Sequence, residues 1–195
     1  MSSTVALIPA AGASSRLGQP KQLVRVDAEP LVRRAARLAF EAGCARVVVV
    51  EGAVPLAEPL AGLDVELVTC AAWARGPGAS LRAGAAALRE GEAGLVWLVD
   101  QWRVGPAQLR ALLEAPGEVV AAFYDGALGV PARFGARFVD VLRQLPDHSG
   151  ARAWLRAHAG QVTALELPEA AADLDTPEQL RALDAAFNAD SRLQK

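Results

Sequence analysis

The first stretch of the chain that could do chemistry lies directly after an apolar run, at residues 9–21, and reads PAAGASSRLGQPK. Its small residues let backbone N–H groups approach a ligand closely, and a turn of such groups binds phosphate oxygens. Arg16 and Lys21 add positive charge: arginine grips two phosphate oxygens with its planar fork, and lysine acts as a point charge. The stretch therefore predicts a phosphate-binding loop, although it matches neither the P-loop nor the GxGxxG dinucleotide motif.

Two further stretches carry residues suited to a ligand site. In GPGASLRAG, Gly76 and Gly78 permit a close backbone approach, and Ser80 can cap a helix or donate a hydrogen bond. Asp100 follows an apolar run, at the end of a strand where open α/β sheets bind their ligands. Magnesium prefers oxygen ligands, commonly one or two carboxylates together with substrate phosphates. Asp100 is therefore a candidate ligand of a metal ion.

The elements that must position these residues alternate along the chain. Short apolar runs, typical of strands buried on both faces of a parallel sheet, occupy residues 5–9, 47–50, 65–69, 95–99 and 119–123. Alanine- and leucine-rich segments between them predict helices at residues 30–42, 80–89, 106–114, 136–144, 151–157 and 177–187. The last helix would begin after Thr176 as its N-cap. This alternation predicts an α/β fold with a mostly parallel sheet.

Composition narrows the class of protein. With 195 residues, of which 52% are hydrophobic, the chain is expected to form one domain over residues 1–188, followed by a frayed tail at 189–195. A net charge of −2 argues against a nucleic-acid partner. No run is apolar enough for a membrane helix, no signal peptide is visible, and two isolated cysteines suit a reducing compartment. The expectation is a soluble cytoplasmic protein.

The loop at residues 9–21 resembles the AAGxSxRxGxPKxL motif of the MobA-like nucleotidyltransferases, and the match extends through Leu23. The AAG form is closest to the molybdenum cofactor cytidylyltransferase branch. The resemblance implies a three-layer, Rossmann-like fold of the nucleotide-diphospho-sugar transferase type. It also implies that Arg16 and Lys21 neutralise a triphosphate held by the small residues of the loop, namely Ala10, Ala11, Gly12, Ala13 and Ser14.

Other segments resemble the same family in order along the chain. The stretch from Gly76 is similar to GxGxSLRAG, which implies that Gly78 and Ser80 lie near the nucleotide base. Residues 100–102 are similar to DQP, which implies that Asp100 holds the catalytic Mg²⁺; Trp102 replaces the proline. Residues 173–180 resemble DIDTPEDL. They imply a second carboxylate, with Asp173 favoured and Asp175 expected to help cap the final helix.

Two segments toward the end of the chain resemble the acceptor side of the family. Residues 129–134 are similar to GxPxxF, and residues 147–152 to a degraded GDxGAR. A side chain as flat as that of Trp102, two residues past Asp100, could stack on the acceptor, plug the cleft or pack on a neighbouring helix. The histidines, His148 and His158, are too few for a zinc site.

The resemblance implies transfer of CMP from CTP to a phosphorylated acceptor, namely molybdopterin carrying molybdenum, with Mg²⁺ as cofactor and pyrophosphate as product. Transient contact with a molybdoenzyme or its chaperone is also implied. Two alternatives remain open at this point: a nucleotidyltransferase for a sugar or alcohol phosphate, and a non-catalytic protein that delivers a cofactor.

Overall fold

A computed structural model describes residues 3–181 of the chain, and a seven-stranded sheet runs through them in the order β5-β4-β1-β6-β8-β7-β9. A separate two-stranded ribbon pairs β2 with β3. The strands are β1 (Thr4–Pro9), β2 (Arg25–Val26), β3 (Glu29–Pro30), β4 (Arg46–Glu51), β5 (Glu66–Thr69), β6 (Ala93–Val96), β7 (Val119–Tyr124), β8 (Ala127–Phe134) and β9 (Val162–Glu166). The helices are α1 (Leu31–Ala42), α2 (Pro77–Ala86), α3 (Pro106–Glu114), α4 (Val139–Arg143) and α5 (Ala151–Ala157).

The two faces of the sheet are covered by different helices, as the alternation of side chains along β1 shows. Ala6 and Ile8 point to one side and pack in a cluster with α1 and α3. Val5 and Leu7 point to the other side and pack with α2, α4 and α5. The sheet is mostly parallel and covered on both faces, so the predicted three-layer α/β fold is confirmed.

Strand β8 runs against the direction of its two neighbours, β6 and β7. It follows β7 after a turn made only of Asp125 and Gly126, which both have a positive φ, of 51° and 72°. An Asp-Gly pair between two strands is a strong hairpin signal because both residues tolerate this conformation. The pattern of apolar residues predicts neither this hairpin nor β9, an edge strand whose residues are partly buried or exposed.

Two predicted elements are shifted along the chain. The strand predicted at residues 95–99 occupies Ala93–Val96, and the helix predicted to begin at Ser80 begins at Pro77. Proline suits the first turn of a helix because its missing N–H has no partner there. Ser80 therefore lies inside α2 and does not cap it. The segment predicted at 136–144 divides into a 3₁₀ turn and the short helix α4.

The final helix begins as predicted. The Oγ1 of Thr176 accepts a hydrogen bond from the backbone N–H of Gln179 at 3.3 Å, and the Oε1 of Gln179 accepts one from the N–H of Thr176 at 2.9 Å. This reciprocal pair is a capping box. The predicted helix end at 187, the domain limit at 188 and the tail at 189–195 lie outside the described residues.

Candidate active site

A cleft of about 570 Å³ opens at the carboxyl ends of the central parallel strands. Chain segments that follow β1, β5 and β6 line it, together with part of β8, the start of α5 and the segment that precedes the final helix. This edge of an open α/β sheet is where ligands bind, because loops after the strands splay apart there. Most of the site residues predicted from sequence meet in this cleft.

The loop after β1 is held in shape by its own polar groups. Ser14 has a φ of 53°, and its Oγ accepts a hydrogen bond from the backbone N–H of Lys21 at 3.1 Å. Gln22 is only 1% exposed, and its Nε2 donates to the carbonyl oxygen of Gly12 at 3.1 Å. Gln22 is not among the predicted site residues, because nothing in the sequence shows that this polar side chain turns inward to hold the loop.

Both predicted cations of the loop are paired with carboxylates. The Lys21 ammonium donates to Asp100 Oδ2 and to Asp175 Oδ1, each at 2.6 Å, and the Arg16 guanidinium donates to Asp175 Oδ2 at 2.9 Å. Burial disfavours the charge of Lys21, but Asp100 and Asp175 outweigh it and hold the pKa of Lys21 above its usual value. The cleft thus holds a charged lysine between two aspartates.

Two carboxylates of the cleft retain an unused oxygen. Asp100 is buried, and its Oδ1 has no hydrogen-bond partner among the described residues; the same is true of the buried Oδ1 of Asp173. Burial, followed by the negative charge of Asp100, raises the pKa of Asp173 to about 6. A cation bound between these two carboxylates would offset their mutual repulsion and supply a partner to the oxygens that lack a donor.

This donor set fits a divalent metal ion that also binds substrate phosphates. Within residues 3–181 no group of three or more His, Cys, Asp or Glu side chains is placed to hold a metal by itself. Magnesium commonly takes only one or two carboxylates and completes its shell with phosphates and water. Asp100 and Asp173 are suited to that arrangement because each has an oxygen without a hydrogen-bond partner among residues 3–181.

The side chain of Asp175 forms ion pairs and does not cap the final helix as predicted. Its carboxylate pairs with Lys21 and Arg16, while Thr176 and Gln179 cap the helix. Burial alone would raise the pKa of Asp175, but the two cations outweigh it and hold that pKa below its usual value. Asp175 is therefore an ion-pair partner of the loop cations.

The glycine-rich stretch at the start of α2 divides between the cleft and the protein interior. Ser80 lines the cleft, as do Gly76 and Pro77. Gly78 is buried away from it: its N–H donates to the carbonyl oxygen of Asp147 at 2.8 Å, and a Cβ on Gly78 would overlap the carbonyl oxygen of Pro146. The structure thus brings Ser80 to the cleft but gives Gly78 a packing position.

The sequence profile of the MobA-like NTP transferase domain matches residues 6–162, which include the loop and Asp100. The chain belongs to this family. A protein named nicotine blue oxidoreductase from Paenarthrobacter nicotinovorans is 32% identical over 186 residues, covering 88% of this chain and 91% of that protein. Membership places the chain in a class of enzymes that transfer nucleotidyl groups.

Solved structures agree with this family. The Rv0371c protein of Mycobacterium tuberculosis H37Rv, solved in complex with manganese, has a TM-score of 0.72 and 25% identity, covering 93% of this chain and 97% of that one. A nucleotidyl transferase from Methanothermobacter thermautotroptrophicus shares the fold, with a TM-score of 0.80, 22% identity and coverage of 96% and 99%. The nucleotide-sugar transferase type of fold is thereby confirmed.

The tryptophan that departs from the motif of the MobA-like family packs on the protein core. Trp102 is partly buried against the cluster that includes Val104 and Leu109, and the Arg103 guanidinium lies 4.8 Å from its ring centroid. It is not among the described residues that line the cleft. Of the three positions considered for this side chain, the structure has the packed one.

The small loop residues of this MobA-like chain are mostly at the cleft. Ala10, Ala11, Gly12 and Ser14 line it, whereas Ala13 is exposed and does not. Arg16 and Lys21 line it as well, together with Asp100, Asp173 and Asp175.

None of the helices described for residues 3–181 is both long and apolar enough to cross a bilayer.

Proposed function

We propose that this MobA-like chain transfers CMP from CTP to a phosphorylated acceptor and releases pyrophosphate. The observation that carries this proposal is that two loop cations and two carboxylates meet in one cleft, and that each carboxylate keeps a buried oxygen to which no described residue donates. A triphosphate needs positive charge along its length, and a metal ion that bridges it to the protein needs carboxylates nearby.

In this proposal the residues position charge and supply no nucleophile. A phosphate oxygen of the acceptor forms a bond to the α-phosphorus, and the bond from that phosphorus to the bridging oxygen breaks as pyrophosphate leaves. The acceptor is already an anion, so no general base is required. Arg16 and Lys21 stabilise the charge that builds on the leaving pyrophosphate, and the backbone of residues 10–14 orients the triphosphate.

Asp100 and Asp173 are the residues proposed to hold Mg²⁺. When bound, the ion would add positive charge next to the reacting phosphate. Asp175, which pairs with both Lys21 and Arg16, would release the two cations to the triphosphate. Ala10, Ala11, Gly12, Ser14 and Ser80 would contact the nucleotide, whereas Gly78 and Ala13 would act only through the backbone shape.

The finer assignments rest on the motif resemblance. The AAG form of the loop supports CTP in preference to GTP, and the same resemblance supports molybdopterin carrying molybdenum as acceptor. The reaction would then take place in the cytoplasm, with transient contact to a molybdoenzyme or its chaperone. The manganese bound by the Rv0371c protein supports a divalent metal, for which Mg²⁺ is the proposed ion.

The test is release of pyrophosphate by the purified chain. CTP or GTP is supplied with Mg²⁺ and with molybdenum-loaded molybdopterin, a sugar phosphate or a phosphorylated alcohol. Release with CTP and the molybdopterin, reduced by roughly 10²–10³-fold in Lys21→Ala, is expected. Pyrophosphate release only with another acceptor would support nucleotidyl transfer but reject molybdopterin as the substrate. Nucleotide binding without release from any acceptor would favour the delivery protein.

A second candidate function rests on a different observation, the 32% identity to the protein named nicotine blue oxidoreductase. In that case the same cleft would serve an oxidation or reduction. Incubation with reduced nicotinamide and flavin cofactors and a panel of dyes, followed by absorbance, tests it. Cofactor oxidation that requires the chain, without pyrophosphate release, would replace the first proposal by this one.

A further inference from the structure

A third cation lines the cleft, on α5 and away from the loop that follows β1. Arg152 donates a hydrogen bond to the Tyr124 hydroxyl, and its guanidinium carbon lies 5.6 Å from the centroid of the Tyr124 ring. Arg16 and Lys21 are ion-paired with aspartates, but Arg152 makes no such ion pair with any described carboxylate. Its charge is thus held in place by a neutral partner.

The position of Arg152 is built by the β7–β8 hairpin. Tyr124 ends β7 and is buried, and burial raises the pKa of Tyr124, so the phenol stays neutral. Its ring lies over Gly129 of β8, where an added Cβ would come within 2.5 Å of the hydroxyl oxygen. Gly129 therefore makes room for the tyrosine, and the tyrosine holds the arginine.

A phosphorylated acceptor must bring a second anion close to carboxylates. Asp173 lines the same cleft as Arg152, and the positive charge of Arg152 acts on that carboxylate. Arg16 and Lys21 are taken by the triphosphate under the proposed function, so another cation must neutralise the acceptor phosphate. A guanidinium suits this task because its planar fork can bind two phosphate oxygens at once.

We propose that Arg152, positioned by Tyr124, binds the phosphate group of the acceptor, which is a phosphate monoester. This inference rests on the proposed nucleotidyl transfer for its biological meaning, but the binding itself can be measured without turnover. Arg152 would touch the substrate, whereas Tyr124 is a positioning residue that acts through Arg152. Val130 and Ala151, which also line the cleft, would contact the organic part of the acceptor.

The experiment measures binding of phenyl phosphate by calorimetry to the full chain. The chain is first saturated with Mg²⁺ and a CTP analogue that has a methylene bridge between the α- and β-phosphorus. This analogue cannot be cleaved between these two phosphorus atoms, and it occupies Arg16 and Lys21 so that phenyl phosphate does not bind to them. We expect Arg152→Ala to raise the Kd of phenyl phosphate about tenfold or more, as for loss of a charge-assisted hydrogen bond. Arg152→Lys should recover part of the affinity because it restores the charge.

Two further variants separate position from fold. Tyr124→Phe removes only the hydroxyl, and it should raise the Kd for phenyl phosphate, or the KM for the acceptor, while leaving kcat unchanged. Arg156→Ala is the matched control, because Arg156 lies one turn further along α5, is exposed and does not line the cleft. It should bind phenyl phosphate like the wild type.

Equal affinity of Arg152→Ala and the wild type, with unchanged circular dichroism and unchanged affinity for the CTP analogue, would overturn the inference. So would a wild-type chain that fails to bind phenyl phosphate at millimolar concentration. If Arg152-dependent binding is found but no acceptor gives pyrophosphate, the phosphate site stands and only the proposed transfer falls. Pyrophosphate release that is unaffected by Arg152→Ala would reject the site and keep the transfer.

Discussion

At the scale of single residues, Lys21 occupies a carboxylate oxygen that a metal ion in the cleft would also attract, and a triphosphate would draw Lys21 away from that carboxylate. Lys21 holds Asp100 by one carboxylate oxygen, and Asp100 keeps the other oxygen without a described partner. The lysine therefore neutralises part of the negative charge that attracts a cation. A metal ion that binds alone finds the charge of Asp100 already partly neutralised by Lys21. When a triphosphate binds Lys21 instead, the carboxylates are available to the metal ion.

The first prediction follows from this competition. Lys21→Ala should bind Mn²⁺ more tightly than the wild type in the absence of nucleotide, by about tenfold, since a unit charge in contact with Asp100 is removed. The same variant should lose turnover. Electron paramagnetic resonance of free Mn²⁺ gives the affinity, and Arg25→Ala is a control, since its side chain is exposed and bonds a backbone carbonyl instead. Unchanged or weaker Mn²⁺ binding in Lys21→Ala would contradict the competition.

The second prediction concerns Asp173, whose pKa is raised to about 6 by burial and by Asp100. Because this folded-state pKa lies above the unfolded value, the native state binds more protons between about pH 4 and pH 6, and stability falls as pH rises through that window. Asp173→Asn cannot ionise. In chelator-treated protein it should be more stable than the wild type at pH 7.5, by about 1–2 kcal/mol after solvent screening.

Urea unfolding at several pH values measures the effect of Asp173→Asn. The gain in the free energy of unfolding should be absent near pH 4, where wild-type Asp173 is protonated. Saturating Mg²⁺ with nucleotide should stabilise the wild type more than the variant. A difference between the two proteins that does not change between pH 4 and pH 7.5 would argue against ionisation of Asp173 as the cause.

At the scale of elements, the start of α2 connects the cleft to the segment before α5. Gly78 has no room for a side chain because the Pro146 carbonyl lies against it, and Arg82 of the same helix bonds Leu145 and Asp147. The motif that the family resemblance placed near the nucleotide base therefore also anchors residues 145–149. Its glycine serves packing, and its serine faces the cleft.

The third prediction tests this division of roles. Gly78→Ala should lower the free energy of unfolding by about 1–3 kcal/mol, the usual cost of overpacking, because backbone must move to accept the methyl group. Gly160→Ala is the matched control, since a Cβ there would meet nothing within 4 Å. Chemical denaturation measures both. If Gly78→Ala were as stable as Gly160→Ala but bound CTP poorly, Gly78 would be a ligand contact after all.

At the scale of the whole molecule, the cleft gathers residues from both ends of the described chain. Lys21 and Asp175 are 154 positions apart yet share a hydrogen bond of 2.6 Å. A ligand bound in the cleft would contact the first loop, the loop after β6 and the segment before the last helix. Binding should therefore stabilise the fold as one unit, because all three segments pack on the same sheet.

The fourth prediction concerns the thermal unfolding of the chain with and without nucleotide. Scanning calorimetry should show one unfolding transition, consistent with a single domain over residues 1–188. Mg²⁺ with CTP at a hundred times the Kd should raise the Tm by about 5–10 °C. GTP at the same concentration should raise the Tm less. A larger rise with GTP would assign the chain to the guanylyl branch, and two separate transitions would reject the single domain.

The sequence by itself determined the α/β class, five of the strands and the position of the loop after β1. These features depend on neighbours in the chain: apolar runs are buried wherever the sheet forms, and small residues after a strand make a loop of N–H groups. Thr176 as a helix cap was equally local. Asp100 lies four residues past the end of β6, and its place after an apolar run was enough to predict that it follows a strand.

Only the tertiary structure decided which charges meet. It paired Lys21 with Asp100 and Asp175, turned Gln22 inward, buried Gly78 against Pro146 and packed Trp102 on the core. It also set Arg152 on Tyr124. The physical reason for the pairs Lys21–Asp100, Lys21–Asp175, Gly78–Pro146 and Arg152–Tyr124 is that they join residues far apart in sequence, so their free energies depend on how the layers pack. Gln22 and Trp102 contact residues nearer in sequence, but the direction in which each side chain turns depends on the packing around it.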